Sequence, residues 1–340
     1  MSKPIHVILC AGSGSRLFPM SHGNMPKQFL KLENNFSLIQ NTVNRMSQFP
    51  ELVITTMEKY KNTLIQQLDE LNLKCKFTII VVPETYNTAY SICAVSELFK
   101  ERKLIVIPSD KIFNQDEFGK LMESANDMLD KKPNNVLFFG IKPTYPATGF
   151  GYLECEDDQV VKFIEKPNLE MAKEYLKNKD FYWNGGMLGF KSNILNKIYL
   201  EIRPDIKKIC QAAIKDVAVT ENKNVKIIKL TDPTDKVEDI SIDYAINEKL
   251  CRNQMSLIPF EGKWSDVGSW NSVYDVKEKN DDGINESAKC KANDSKKCLV
   301  MTKKQVYLNG VSNLVIVETD DSILISNMDK SQDIKKLLSL

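Results

Sequence analysis

The stretch that decides the fold reads HVILCAGSGSRL and spans His6–Leu17. It opens with a short run, His6–Cys10, that is rich in Val, Ile and Leu and leads directly into a glycine-rich turn. Glycines let backbone N–H groups approach an anion, and the helix that follows such a turn adds its positive end. The stretch therefore indicates a buried strand of an α/β sheet with a phosphate cradle at its carboxyl end.

Short apolar runs alternate with amphipathic stretches through the first half of the chain. Runs without a polar face predict strands buried on both faces, and a 3.6-residue apolar period predicts helices. We predict strands at His6–Cys10, Leu52–Thr55, Thr78–Val82, Leu104–Ile107 and Val136–Gly140, and helices after Ser37, over Met57–Leu71 and over Ala89–Phe99. The alternation predicts an α/β fold, with a Rossmann-like mixed, mostly parallel sheet flanked by helices.

The second half of the chain has a more mixed pattern. We predict strands at Gly151–Glu156, Gln159–Glu165, Gly185–Lys191 and Lys226–Leu230, and helices over Leu169–Asn178 and Ile242–Leu250. The polar segment Glu278–Lys297 has the composition of a boundary, and short runs separated by turn residues follow it, without a clear repeat. We therefore predict a large domain over residues 1–278 and a small β-rich domain over residues 279–340, ending in a helix at Ser331–Leu338.

Composition narrows the class of protein. The 46 basic and 45 acidic residues give a net charge of +1, which argues against a nucleic-acid or membrane-surface binder. The eight cysteines are scattered without a CxxC pair, which is typical of free thiols in a reducing compartment. No stretch approaches the length of a membrane span, and the first apolar run is too short for a signal peptide, so we expect the cytoplasm.

Two cations in the loop region favour a triphosphate as the bound anion. Arg16 can clamp phosphate oxygens in bidentate fashion, and Lys27 can act as a point charge. Leu17 stands where the dinucleotide fingerprint needs its third glycine, and no Lys-Ser or Lys-Thr pair completes a P-loop. Both common nucleotide motifs are therefore poor matches, and a dinucleotide-dependent oxidoreductase is a weak alternative.

A longer series of motifs resembles the bacterial mannose-1-phosphate guanylyltransferases. It begins with the glycine-rich loop and with Pro26-Lys27-Gln28-Phe29-Leu30. The matching motifs that follow, in order, are Asn87-Thr88-Ala89, Pro108-Ser109-Asp110, Thr148-Gly149-Phe150-Gly151-Tyr152, Phe163-Ile164-Glu165-Lys166-Pro167, Trp183-Asn184-Gly185-Gly186-Met187, Ser241-Ile242-Asp243-Tyr244-Ala245 and Trp264-Ser265-Asp266-Val267-Gly268-Ser269-Trp270. The resemblance covers nearly the whole chain, including its tail.

The resemblance implies a fold of the nucleotide-diphospho-sugar transferase type, with a β-helix-like C-terminal domain. It implies transfer of a nucleotidyl group from a nucleoside triphosphate to a sugar 1-phosphate, with Mg²⁺ as the cofactor and GTP and mannose 1-phosphate as substrates. Neither nucleic acid nor membrane is an expected partner, and the last strands are candidates for an interface between copies of the chain. Some relatives carry a cupin-like isomerase domain after this core, which we expect this chain to lack because it ends at Leu340.

The resemblance also implies roles for particular residues. It makes Asp110 and Asp266 the metal ligands, and it makes them catalytic together with Arg16, Lys27 and Lys166. The nucleotide-binding residues are Ala11, Gly12, Ser13, Gly14, Ser15, Arg16, Lys27, Asn87, Thr88, Ser109 and Asp110, and the sugar-phosphate-binding residues are Gly149, Glu165, Lys166, Asn184 and Asp243. From the residues alone, Asp110 fits a helix cap, Asp266 a turn and Glu165 with Lys166 a surface pair equally well.

Departures from the family pattern leave the base and the sugar open. Val82 precedes Pro83 where the family has glutamate, Tyr86 replaces an arginine, and Ala147 replaces a commonly acidic residue. Two alternatives to a GDP-mannose synthase therefore stay in view: the same chemistry with another base or sugar, and a non-catalytic regulatory homologue that only binds sugar nucleotides.

Overall fold

The computed structural model describes residues 3–12, 15–83, 86–233, 235–286 and 290–338. The strands are β1 Ile5–Cys10, β2 Glu51–Met57, β3 Lys76–Val82, β4 Lys103–Pro108, β5 Ile112–Phe113, β6 Val136–Ile141, β7 Tyr152–Glu156, β8 Gln159–Ile164, β9 Phe181–Lys191, β10 Ala218–Asn222, β11 Val225–Lys229, β12 Met255–Phe260, β13 Trp264–Ser265, β14 Asn285–Glu286, β15 Cys290–Asn293, β16 Leu299–Met301, β17 Val306–Asn309, β18 Leu314–Glu318 and β19 Ile323–Asn327. The helices are α1 Leu38–Met46, α2 Glu58–Asp69, α3 Asn87–Leu98, α4 Gln115–Lys131, α5 Leu169–Lys177, α6 Ser192–Ile202, α7 Pro204–Ala213, α8 Ile242–Ala245, α9 Trp270–Val276 and α10 Ile334–Leu337.

The chain forms two compact units that are discontinuous in sequence. The sheet unit comprises Met1–Ala11, Arg45–Ser109 and Phe113–Lys263, and the small unit comprises Gly12–Asn44, Asp110–Ile112 and Trp264–Leu340. The small unit thus gathers the glycine-rich loop and the C-terminal strands into one body. The domain boundary that the sequence suggests at residues 278/279 stays a prediction.

The sheet unit is built on one mixed sheet with the strand order β10-β11-β3-β2-β1-β4-β9-β6-β12. The neighbours of β1, which are β2 and β4, run parallel to it, whereas β9 runs antiparallel to β4 and β6. The hairpin of β7 and β8 extends from β9. Strand β6 is buried along its whole length, as expected for a strand covered on both faces. The predicted mixed, mostly parallel α/β sheet is confirmed.

Two predicted helices are shorter than their sequence patterns indicate. The pattern over Ile242–Leu250 forms α8, which ends at Ala245, and then a separate 3-10 turn at Asn247–Lys249. The break lies at Ile246, whose φ of −128° leaves the helical region. The predicted terminal helix over Ser331–Leu338 is reduced to α10, because residues 331–333 form a turn and Asp333, which precedes the helix, has a ψ of 0°.

The small unit contains two strips of parallel strands. One sheet has the order β14-β16-β18-β19, with only β19 antiparallel to its neighbour, and the other pairs β15 with β17. Paired residues lie 16 positions apart between β16 and β18 and between β15 and β17, as in Leu299 with Val315 and Cys290 with Val306. Between β14 and β16 the offset is 14, as in Asn285 with Leu299. These similar offsets indicate a chain that coils with 14 to 16 residues per turn. The β-rich, β-helix-like C-terminal part is thereby confirmed, although the sequence has no clear repeat.

A shared apolar core ties the glycine-rich loop to the C-terminal strands within the small unit. Leu17 and Leu30 lie in the same buried cluster as Trp270, Leu299 and Val315. Trp270 is fully buried, and its indole Nε1 donates to the carbonyl oxygen of Phe18 at 2.9 Å. Leu17 and Phe18, which follow the glycine-rich loop, are therefore held by packing against residues from the far end of the chain.

In the part of the chain that the structure describes, no helix has both the length and the apolar character that crossing a membrane requires.

Candidate active site

Lys27 lies at the centre of a charged cluster in the small unit. It begins the 3-10 turn Lys27–Phe29 after Pro26, and it is 5% exposed. Its Nζ lies 3.1 Å from Oδ2 of Asp110 and donates to the carbonyl oxygen of Asp266. A buried ammonium needs such partners, and here they are the two aspartates that the resemblance singles out.

Lys111 connects the same two aspartates through their carboxylates. Its ammonium pairs with Oδ1 of Asp266 and lies 4.0 Å from Oδ1 of Asp110. The side chains of Lys111 and Asp266 are each 17% exposed, and that of Asp110 is 33% exposed. One cationic centre thus contacts both carboxylates, although the aspartates are far apart in sequence. The sequence analysis missed Lys111, since only its place beside Asp110 could have pointed to it.

Burial and the neighbouring charges shift the pKa values of Asp110 and Lys27. Burial alone would raise the pKa of Asp110, but the neighbouring Lys111 and Lys27 cations outweigh it and hold this pKa at about 2. Burial lowers the pKa of Lys27, and Asp110 opposes that shift. The cluster therefore keeps Asp110 ionised at neutral pH, as a metal ligand must be.

The chemistry of this cluster fits a hard divalent cation. Mg²⁺ is held in many phosphate-transfer sites by one or two carboxylates, with phosphates and waters completing its shell. Asp110 and Asp266 supply that number, and both already contact a single positive centre. Within the described residues no set of three His, Cys, Asp or Glu side chains is arranged to hold a metal. Asp110 and Asp266 therefore suit a cation that completes its coordination shell with phosphate and water oxygens.

The glycine-rich loop is described only in part. Arg16 is exposed in the 3-10 turn Ser15–Leu17, and its Nη1 donates to Oε1 of Gln332 at 3.3 Å. Gln28 donates its side-chain N–H to the carbonyl oxygen of Gly12 at 2.9 Å, which braces the start of the loop. Apart from its chain neighbours, no atom of the residues that the structure describes lies within 4 Å of a Cβ built at Gly12. The predicted binding residues Ser13 and Gly14, and the side chain of Ser15, lie outside the described residues.

Gly268 leaves room for the carboxylate of Asp266. A Cβ added there would lie 2.3 Å from Oδ2 of Asp266, which is the far end of a flexible side chain. The intervening Val267 is fully buried with a φ of +45°, an uncommon conformation for a β-branched residue. The backbone of this turn thus directs the Asp266 side chain. The requirement for glycine at position 268 depends on a distance in the folded chain and cannot be recognised in the sequence.

We expect Gly268→Ala to reduce turnover by about 100-fold while the protein stays folded, because the new methyl group displaces a catalytic carboxylate but no core atom. Steady-state rates and the thermal unfolding midpoint check this together. Gly119→Ala is the matched control, since its Cβ would come no closer than 3.9 Å to another residue. A wild-type rate for Gly268→Ala would show that the position of Asp266 does not matter.

A second polar cluster lies in the sheet unit and contains four of the predicted sugar-phosphate residues. Lys166 Nζ lies 2.7 Å from Oε1 of Glu165, and Nδ2 of Asn184 donates to Oδ1 of Asp243 at 3.1 Å. Gly151 joins these pairs, because a Cβ there would lie 2.6 Å from Oε2 of Glu165 and 3.5 Å from the Cβ of Asn184. The structure therefore brings together side chains from three separate motifs, in the manner of a pocket for a polar ligand.

Local backbone features present Glu165 and Lys166. The backbone N–H of Glu165 donates to Oε1 of Glu248 at 3.0 Å, a contact that the sequence did not suggest. Lys166 has a φ of +47°, and its Nζ lies 5.6 Å from the centre of the Tyr244 ring. A lysine held in the left-handed region marks a constrained position, since such backbone costs of order 1 kcal/mol or more.

Asp243 keeps its proton to a higher pH than an ordinary aspartic acid. Burial, with the nearby Glu165 carboxylate, raises its pKa to about 6, and hydrogen bonding from Asn247 opposes the rise. Between the ordinary value of 3.8 and about 6, the folded protein keeps a proton that the unfolded chain releases. This group therefore makes stability fall as pH rises through that window.

We expect Asp243→Asn to remove that slope, so that the variant gains stability relative to wild type as pH rises from about 4 to about 7. The free energy of unfolding from urea titrations at several pH values measures the effect. The exposed Asp239→Asn in the same unit serves as the control. A constant stability difference across this range would contradict the raised pKa.

The remaining predicted nucleotide residues lie after strand β4 and in the first turn of helix α3. Ser109 follows β4 and donates its backbone N–H to the carbonyl oxygen of Leu9 in β1, at 3.1 Å. Thr88 Oγ1 accepts the backbone N–H of Ile242 at 2.9 Å and so supports the start of α8. Asn87, which precedes it, has a φ of +57°.

Ala11 and Gly149 complete the predicted set in the sheet unit. Ala11 follows β1 directly and is partly buried. Apart from its two chain neighbours, no atom of the described residues lies within 4 Å of a Cβ built at Gly149. A nucleotide- or sugar-binding role for these residues stays a prediction.

Comparison with protein families yields two adjoining matches. The model of the nucleotidyl transferase family matches residues 5–283, and the model of the MannoseP isomerase/GMP-like beta-helix domain matches residues 292–339. Two curated relatives are mannose-1-phosphate guanylyltransferases. The one from Klebsiella pneumoniae is 35% identical over 97% of this chain and 72% of its own length, and the one from Salmonella montevideo is 33% identical over 98% and 72%.

Solved structures are similar in fold. A crystal structure described as a mannose-1-phosphate geranyltransferase from Thermus thermophilus matches with a TM-score of 0.81 and 21% identity, covering 100% of both chains. A mannose-6-phosphate isomerase from Helicobacter pylori matches with a TM-score of 0.68 and 28% identity, covering 77% of this chain and 99% of that one. The first of these likenesses extends the shared fold over the β-rich C-terminal part.

Proposed function

Because the chain belongs to the nucleotidyl transferase family and, within it, to the mannose-1-phosphate guanylyltransferases, we propose that it converts GTP and mannose 1-phosphate into GDP-mannose and pyrophosphate. The observation that carries this proposal is the convergence of Asp110 and Asp266 on one positive centre, beside Lys27. A module that only binds sugar nucleotides has no need for two such carboxylates.

In the proposed reaction, a phosphate oxygen of mannose 1-phosphate attacks the α-phosphorus of GTP, and pyrophosphate leaves from the opposite side. Two polyanions must meet, so charge neutralisation and positioning dominate, and no covalent intermediate is needed. Lys27 and Arg16 bind the triphosphate. Asp110 and Asp266 would hold Mg²⁺, which would supply neutralisation of the charge that develops on the phosphate oxygens.

The sheet-unit cluster takes the sugar phosphate in this scheme. Lys166 binds its phosphate, while Glu165, Asn184 and Asp243 hydrogen-bond the sugar hydroxyls. The amide of Asn184 and the carboxylates offer both donors and acceptors, which a polyhydroxyl ligand requires. We also propose a cytoplasmic reaction, in keeping with eight free cysteine thiols, seven of which are buried or partly buried.

Pyrophosphate release, measured with each of four nucleoside triphosphates against several sugar 1-phosphates, tests the proposal. We expect GTP with mannose 1-phosphate to give the highest kcat/KM and removal of Mg²⁺ to abolish release. A higher value for another pair would reassign the substrates, for which Tyr86 and Ala147 are the first residues to consider. Nucleotide binding without release for any pair would instead identify a regulatory binding protein.

A further inference from the structure

Lys111 is the residue whose position the proposed reaction does not explain. Its ammonium contacts the carboxylates of both Asp110 and Asp266, which is the place that a shared divalent cation would take. Lys27, the other cation of the cluster, contacts the carboxylate of Asp110 but only the backbone carbonyl of Asp266. In the described contacts, Lys111 is thus the cation that pairs with both acidic side chains.

Burial distinguishes the two lysines. The Lys27 side chain is 6% exposed and fixed by its turn, whereas the Lys111 side chain is 17% exposed. A lysine ammonium is a compact charge on a flexible four-carbon stem, so it can withdraw without movement of the backbone. Two carboxylates that converge without a counter-ion repel each other, so a cation is needed whenever the metal is absent.

We propose that Lys111 is an internal counter-ion that holds Asp110 and Asp266 together in the metal-free protein and is displaced when a divalent cation binds. The proposal rests on the proposed function, since it takes the two aspartates as the metal site. It makes Lys111 a positioning residue that acts through the aspartates. The Lys111 ion pairs weaken the intrinsic affinity of the two aspartates for the metal, because each binding event must break these pairs.

Metal binding in the absence of substrates tests this idea directly. Mn²⁺ alone is titrated into the full chain, and the free ion is counted by electron paramagnetic resonance. We expect Lys111→Met to bind Mn²⁺ about tenfold more tightly than wild type, since no ammonium competes. Lys111→Arg keeps a cation in reach of both carboxylates, and we expect it to restore wild-type affinity.

Two controls separate displacement from a general change of charge. The exposed Lys31→Met makes the same change of net charge in the same unit, and we expect its Mn²⁺ affinity to equal that of wild type. The gain for Lys111→Met should also persist at about 1 M ionic strength, where the Debye length falls to about 3 Å. A gain that disappears in high salt, or that Lys31→Met shares, would overturn the proposal.

Thermal unfolding supplies an independent readout. Without metal we expect Lys111→Met to unfold about 2–4 °C below wild type, because the aspartates lose their counter-ion. Saturating Mn²⁺ should close this gap. An unchanged midpoint without metal, or a gap that Mn²⁺ leaves open, would contradict the counter-ion role.

Asp266→Asn distinguishes failure of this inference from failure of the metal site itself. If Asp266→Asn loses Mn²⁺ binding while Lys111→Met binds like wild type, the site stands and the role of Lys111 is wrong. If Asp266→Asn binds Mn²⁺ like wild type, or if wild type binds none, the metal site proposed for the reaction is wrong and the inference falls with it.

Discussion

Asp266→Asn should lower turnover by about 10²–10⁴-fold, the loss expected when several kcal/mol of metal-based stabilisation of the transition state disappear. The amide keeps the size of the side chain but carries no negative charge, so it binds a divalent cation poorly and no longer pairs with Lys111. Asp110→Asn should behave in the same way, since it removes the other ligand. Steady-state pyrophosphate release at saturating Mg²⁺ and substrates measures both.

The fold should survive these two changes, because neither carboxylate contributes to an apolar core. The small unit offers a matched control in Asp275→Asn, an exposed carboxylate of α9. We expect that variant to keep the wild-type rate. If Asp266→Asn were as active as Asp275→Asn, the carboxylate would have no part in the chemistry.

Lys166→Ala should reduce kcat/KM for the sugar phosphate by at least about 100-fold, with little change in the KM for the nucleotide. The side chain is 50% exposed, so its removal costs little packing. Alanine and lysine have the same steric cost at a φ of +47°, so the substitution leaves the conformational free energy of the backbone nearly unchanged. The loss therefore reports the missing ammonium and its pair with Glu165.

Initial rates with each substrate varied in turn give the two constants. Lys162→Ala, at an exposed position of strand β8, which ends just before Glu165 and Lys166, is the control that removes an equal charge outside the cluster. An equal fall in both variants would indicate a long-range charge effect. An increase in nucleotide KM for Lys166→Ala alone would move this lysine to the nucleotide site.

The sheet could be predicted from sequence because buried parallel strands appear as continuous apolar runs. Each of the runs that begin at His6, Leu52 and Leu104 lies within an observed strand. Helix ends were harder to predict, since the helical period of the sequence continues through Ile246, whereas the backbone leaves the helical conformation at this residue. A hydrogen bond of 3.0 Å from the Asn247 side chain to the carboxylate of Asp243 spans this break.

The coiled arrangement of parallel strands in the small unit could not be predicted from the sequence, for a different reason. Its turns differ in length, with offsets of 14 and 16 residues, and share no motif, because each turn needs only one or two inward-facing apolar side chains. Val315 and Val317 satisfy that need, and the residue between them lies on the opposite face of the strand. One or two apolar residues in each turn are too few to give a period that can be recognised in the sequence.

The candidate site was found in sequence only through its charged side chains. The resemblance supplied the two aspartates, and the structure brings them to one positive centre. Lys111, Gly151 and Gly268 were missed, because their effect depends on distances that sequence spacing does not encode. Gly268, for example, matters because a Cβ at this position would lie 2.3 Å from Oδ2 of Asp266, two residues earlier in the chain.

The most direct test of the account is the position of the metal in crystals grown with Mn²⁺ and a non-hydrolysable GTP analogue, located by anomalous scattering. We expect a strong peak between the carboxylates of Asp110 and Asp266, within about 2.0–2.6 Å of an oxygen from each, with Lys111 withdrawn from between them. A metal bound elsewhere, with the lysine pairs intact, would contradict it.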